Sequence, residues 1–311
     1  MVGLHIELNE QSHFAKGGHP ENLNRLKPIR DWLRAKLDDG DYLPIQVTDH
    51  GMQPILRTHS TRYIDHLQRS CEKGEEYLDQ DTYVTPKSFD AARRVVDAAL
   101  SAIDTVMDGR CNKAFILGRP PGHHAEHDRA MGFCLINNVA VAAQHLIDQY
   151  HLDRVAVVDF DVHHGNGTQH IFYDRSDVYF ISTHQYPFYP GTGSASETGA
   201  GKGKGFTLNV PLKAGDSDRE FVAAFEQQVM PALRRYRPQF LLVSAGFDAH
   251  QNDPLGGMKV TGAGFGAVAS LLSTLAQECA DGRIVSLLEG GYDPKGNLDS
   301  ISNYLNGLDI S

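Results

Sequence analysis

The sequence predicts an α/β fold in which a parallel sheet is covered by helices on both faces. Three observations carry this. Short β-branched or apolar runs recur at residues 114–117, 155–160, 178–182, 240–244 and 284–288, as in strands buried on both sides. Between several of them lie stretches of helix-period apolar residues, at 138–149, 218–236 and 261–278, and such alternation winds a parallel sheet. The composition, 41% hydrophobic and 22% charged, supports a sizeable core, so residues 1–311 are read as one domain.

Residues 1–110 are polar and turn-rich at first. Helical spacing appears at 25–37 and again at 88–107, where Phe89, Ala92, Val95, Val96 and Ala99 recur on one stripe. This region reads as helices and loops packed onto the remainder. The strand at 114–117 runs into Arg119-Pro120-Pro121-Gly122-His123-His124, where Pro-Pro-Gly fixes a turn. The helix at 138–149 precedes the strand at 155–160, which leads into Asp161-Val162-His163-His164-Gly165. The strand at 178–182 leads to His184, and a glycine-rich stretch, 191–205, reads as one long loop of the kind that usually carries function. The strand at 240–244 ends at Phe247-Asp248 and that at 284–288 at Glu289-Gly290-Gly291-Tyr292. There is no internal repeat.

Charge and hydropathy exclude several classes. With 39 acidic against 29 basic side chains, a balance of −10, and no basic stripe, the chain is not built to bind nucleic acid directly. No apolar run approaches the roughly 18 residues that a bilayer demands, so no membrane contact is expected. Met1 to Glu7 carry no basic lead before an apolar stretch, and a cytoplasmic location is expected. Cys71, Cys111, Cys134 and Cys279 form no C-x-x-C pair and read as reduced thiols. Oligomeric state is left open, a homo-oligomer included.

Ligands of open parallel sheets bind beyond the carboxyl ends of the strands, and there the unusual polar residues gather. Alternation in an extended strand places Asp159, Asp161 and His163 on one side. Asp248, after a different strand, completes a set of carboxylates and imidazole that suits a divalent cation. An open fourth position fits catalytic Zn2+, and the oxygen-rich set also admits Fe2+ or Mn2+. One such aspartate alone is usually a helix cap and one such histidine usually packing. Their convergence carries the reading. Cys134 follows Gly132-Phe133 without any feature that would activate it, and reads as packing.

Taken together, Arg119-Pro120-Pro121-Gly122-His123-His124-Ala125, Gly132-Phe133-Cys134, Asp159-Phe160-Asp161-Val162-His163-His164-Gly165-Asn166-Gly167-Thr168, Pro190-Gly191-Thr192-Gly193, Ser244-Ala245-Gly246-Phe247-Asp248 and Glu289-Gly290-Gly291-Tyr292 resemble the histone deacetylase and acetylpolyamine amidohydrolase family. The likeness starts at His19-Pro20-Glu21 and leans to the class II branch. It implies a three-layer α/β/α fold with a mostly parallel eight-stranded sheet, as in arginase, and zinc-dependent hydrolysis of an N-acetyl amide. By resemblance, Asp161, His163 and Asp248 are metal ligands, His123 and His124 the catalytic pair, and Tyr292 the phenol that donates to the substrate oxygen. Asp159 is the partner of His123 and, with Ser182, a ligand of a structural potassium ion (K+). Phe133 and Tyr189 form the tunnel walls, with Leu255 as a third tunnel residue. Asn166 stands where class I members place an aspartate. It orients His124 without stabilising an imidazolium, so His124 should titrate below His123.

Substrate choice is less legible. Leu255 follows Asp253-Pro254 where polyamine-selective animal members carry a glutamate, which favours acetyl-lysine of a protein or peptide over an acetylated polyamine. Glu75, Glu76, Asp79 and Asp81 are placed to line the entrance, and either Asp79 or Asp81 to bind peptide N–H groups. Two rivals remain: a two-manganese ureohydrolase, against which the paired histidines and Tyr292 speak, and a silent acetyl-binding module.

Overall fold

The computed structural model describes residues 1–8, 13 and 14, and 18–309. Its eight strands are β1 (Val2–Glu7), β2 (Leu43–Pro44), β3 (Lys113–Gly118), β4 (Val155–Asp159), β5 (Val178–Gln185), β6 (Thr207–Leu212), β7 (Phe240–Ala245) and β8 (Ile284–Leu288). They form one sheet in the order β2-β1-β3-β8-β7-β4-β5-β6, with every pairing parallel. The helices are α1 (Lys27–Asp38), α2 (Gln53–Thr58), α3 (Thr61–Lys73), α4 (Ser88–Met107), α5 (Asn138–Tyr150), α6 (Asn166–Phe172), α7 (Asp218–Ala224), α8 (Met230–Tyr236), α9 (Gly262–Cys279) and α10 (Pro294–Asp309).

Period-two alternation in the central strands builds a core on each face. Phe115, Leu117, Ala156, Val158, Leu241 and Val243 join Leu33 of α1, Phe265 of α9 and Tyr304 of α10. Their neighbours Ala114, Ile116, Val155, Val157 and Leu242 point the other way, to Leu67 of α3, Ile103 of α4 and Leu146 of α5. Each of the Val, Leu, Ile and Phe side chains among these, removed from water, contributes about 1.5–3 kcal/mol. The result is the three-layer α/β/α arrangement. No helix among the described residues is long and apolar enough to cross a membrane.

Several elements differ from the sequence reading. Residues 1–110 are not helix and loop alone, since β1 pairs with β3 from Val2 to Glu7 and places Val2 and Leu4 in the core. Its apolar positions alternate with His5 and Glu7, too short a pattern to stand out. Edge strand β6 was hidden by Pro211, which a ladder tolerates at an edge. The stretch 218–236 is not one helix: a π turn at Phe225–Val229 separates α7 from α8, where Pro231 has no N–H to donate. Strand β5 extends to Gln185, so His184 lies within it rather than beyond its end.

Candidate active site

The parallel register aligns the strand ends that carry the polar residues. Asp159, last in β4, stands opposite Ser182 of β5 and Ser244 of β7. Because β4 stops there, strand alternation does not continue to His163. Instead Asp159 Oδ1 accepts the Asp161 N–H (3.1 Å) and Asp161 Oδ1 accepts the His163 N–H (2.9 Å), two side-chain turns in succession. The expected common face of three residues is therefore corrected to two. Asp159 turns to His123, while Asp161 and His163 meet Asp248.

Asp161, His163 and Asp248 each bring a ligating atom within 4.8 Å of the others. His163 Nδ1 lies 3.0 Å from Asp161 Oδ1 and 3.1 Å from Asp248 Oδ2. Both carboxylates are buried and aimed by backbone N–H groups: Gly290 donates to Asp161 Oδ2 (2.8 Å) and Val162 to Asp248 Oδ1 (2.7 Å). Glycine is required alongside. A Cβ on Gly290 would come within 2.2 Å of Asp248 Oδ2, and one on Gly246 within 2.1 Å of Asp161 Oδ2. Burial and the neighbouring charge of Asp161 raise the Asp248 carboxyl to about 7. Two buried carboxylates under mutual repulsion beside one imidazole fit a divalent cation.

The two adjacent histidines have different partners. His123 Nδ1 donates to Asp159 Oδ2 (2.9 Å); burial opposes its charge, yet Asp159 and Asp161 raise it to about 10. His124 Nδ1 donates to Asn166 Oδ1 (2.8 Å), whose amide is oriented by donating from Nδ2 to Glu126 (2.9 Å). Burial, then the charges of His123 and His163, hold His124 well below the usual imidazole range. His124 is thus neutral with the Nε2 lone pair free.

Above the donor set lies a cavity of about 260 Å³, lined by His124, His163, Tyr292, Phe133, Tyr189, Leu255, Phe188, Gly132 and Asp81. All three predicted wall residues are present. Phe188, which the sequence reading passed over, stacks on the His163 ring at 5.3 Å. Burial and Asp248 raise the Tyr292 phenol well above its ordinary value, so it stays a donor. Of the four entrance candidates, Asp81 lines the cavity, Glu75 and Glu76 line a different one, and Asp79 Oδ1 is occupied by the N–H groups of Asp81 and Thr82. Ser182 Oγ lies 2.9 Å from His184 Nδ1.

Sequence reasoning also missed the residues that hold these loops. Asp253 accepts the Tyr292 N–H through Oδ2 (2.6 Å) and the Leu255 N–H through Oδ1 (2.9 Å). Arg25 donates to the backbone oxygens of Gly291 (2.8 Å) and Glu289 (3.1 Å) and lies 5.3 Å from the Tyr292 ring centre. Glu21, fully buried, pairs with Arg25 and Arg119. The signal was present as charged residues in otherwise apolar surroundings, but their partners are largely main-chain atoms that no motif records.

A parallel α/β/α sheet that gathers two carboxylates, an imidazole and a histidine pair at its carboxyl edge defines the arginase- and deacetylase-like class of hydrolases. Comparison with known proteins narrows this. Residues 19–308 match the histone deacetylase domain model. A probable deacetylase of Archaeoglobus fulgidus is 37% identical over 96% of this chain and 83% of its own length. A histone deacetylase-like amidohydrolase of Pseudomonas aeruginosa is 40% identical over 89% of this chain and 73% of its own. The crystal structure of the HDA15 HD domain superposes with a TM-score of 0.91 at 35% identity, covering 99% of this chain and 88% of that one. The chain belongs to the histone deacetylase family, so it is a deacetylase whose substrates are acetylated and whose family implies a metal ion.

Proposed function

We propose that this chain is a zinc-dependent amidohydrolase that removes acetyl or related acyl groups from lysine side chains of proteins or peptides. The observation that carries this is the meeting of Asp161, His163 and Asp248 beneath an aromatic-walled cavity that the His123-His124 pair and Tyr292 also enclose or support. The three residues would hold the ion, which when bound would polarise the amide carbonyl and acidify water. His124, neutral and with Nε2 free, takes a proton from water and returns it to the leaving amine. His123, kept cationic by Asp159, favours the negative charge that develops nearby. Tyr292 donates its phenolic hydrogen to the developing oxyanion. Phe133, Tyr189 and Leu255 enclose the methylene chain and exclude water. Asp159 and Ser182 would contribute to a potassium site that steadies the β4 and β5 ends.

The assignment to class II, a single catalytic domain over residues 1–311 and a cytoplasmic location belong to the same proposal. Leu255 at the wall favours the apolar stem of acetyl-lysine. Asp81 at the mouth supports a second reading, deacetylation of a cationic acetylpolyamine. Rates on an acetyl-lysine peptide and on acetylated polyamines, measured side by side with metal content, test both readings. Faster polyamine turnover reverses the order, and turnover that survives complete metal removal rejects the proposal.

A further inference from the structure

Glu289 leaves the end of β8 with a fully buried side chain, 0% exposed. Its Oε2 accepts the Gly122 N–H at 2.6 Å and the His123 N–H at 3.1 Å, and its Oε1 accepts the Ser244 hydroxyl at 3.2 Å. It does not line the cavity. A buried carboxylate is a costly filler, and burial raises this one to about 7. Its three contacts join the β3 loop that carries His123 and His124, the end of β7 that leads to Asp248, and the β8 loop. The next residue, Gly290, donates to Asp161. The Glu289 side chain therefore ties the histidine turn to the end of β7 that leads to Asp248, and the main chain of the next residue adds the link to Asp161.

We infer that Glu289 is a positioning residue for the hydrolysis, fixing the His123-His124 turn at the height of the Asp161, His163 and Asp248 set. The inference rests on the amidohydrolase reading above. The role is geometric: two backbone N–H groups need one acceptor at a fixed place, and charge is incidental. Glu289→Gln keeps that acceptor and offers an amide N–H to Ser244, whereas Glu289→Asp keeps the charge but withdraws the acceptor by one methylene.

The test is steady-state kinetics on an acetyl-lysine peptide with the metal-loaded variants, metal content and Tm being followed in parallel. Glu289→Gln should keep kcat within about threefold, and Glu289→Asp should lose about 10–10²-fold in kcat with KM within about twofold, as misplacement of catalytic groups does. If the Asp variant does not fold, Ser244→Ala replaces it. That variant frees one carboxylate oxygen, and a several-fold fall in kcat at unchanged KM and metal content is expected. Full activity in the Asp variant or in Ser244→Ala, or a tenfold loss in the Gln variant, overturns the inference while an active wild type leaves the amidohydrolase reading standing. A wild-type chain without deacetylase turnover overturns both.

Discussion

His123 and His124 are adjacent in sequence yet opposite in proton affinity, because burial lowers both but only His123 faces a carboxylate that outweighs it, while His124, beside an amide, also meets the charges of His123 and His163. The difference predicts pH behaviour. His124 acts as a base only when neutral, and its lowered pKa keeps it neutral well into the acid range. Asn166→Asp adds a negative charge beside it, raises that pKa, and should move the acid limb of kcat/KM to higher pH. A limb that does not move would exclude His124 as the titrating base. Tyr292→Phe deletes one oxyanion donor and should lower kcat by about 10²–10³ with metal content intact. Asp248→Ala removes one of three donors, and elemental analysis should find the metal lost.

Between elements, an imidazole latch joins the loop before α2 to α4 and α5. His50 Nε2 lies 3.0 Å from Asp104 Oδ2, while His145 Nε2 and the Tyr150 hydroxyl reach Asp104 Oδ1 at 3.2 and 2.7 Å. Hydrogen bonds to Asp104, then Asp97, raise His50 from 6.5 to about 9. A raised folded-state pKa gives stability that is full below 6.5 and lost as pH climbs through 9. Wild-type unfolding free energy should fall by about 1–2 kcal/mol across that window once solvent screening is allowed for, and His50→Gln should flatten the curve. Legibility followed the same physics at this scale. Helix α4 was readable end to end because its stripe repeats over five turns, and the central strands because both faces are apolar. Strands β1, β2 and β6 sit at or near the edges, are short or carry Pro211, and so lacked a periodic signal. In the site, side chains with chemistry of their own were legible; Glu289, Asp253 and Arg25, which act on main-chain atoms, were not.

At the scale of the molecule, Glu21 staples the segment before α1 to the β3 loop through Arg119 and holds Arg25, which in turn donates to the β8 loop. Glu21→Ala would leave Arg25 and Arg119 buried without their carboxylate, a cost of about 3–5 kcal/mol readable in urea unfolding. The strand order has a further consequence. Strands β3 and β4 are consecutive in the chain, yet β8 and β7 lie between them. A ribosome therefore delivers the histidine turn and the first two donors before β7 and β8, the two strands that unite them, and the emerging polypeptide must keep a two-strand gap open until both are made. Catalytic competence therefore waits for β8, and until then the unpaired sheet edges lie within reach of aggregation while translation continues.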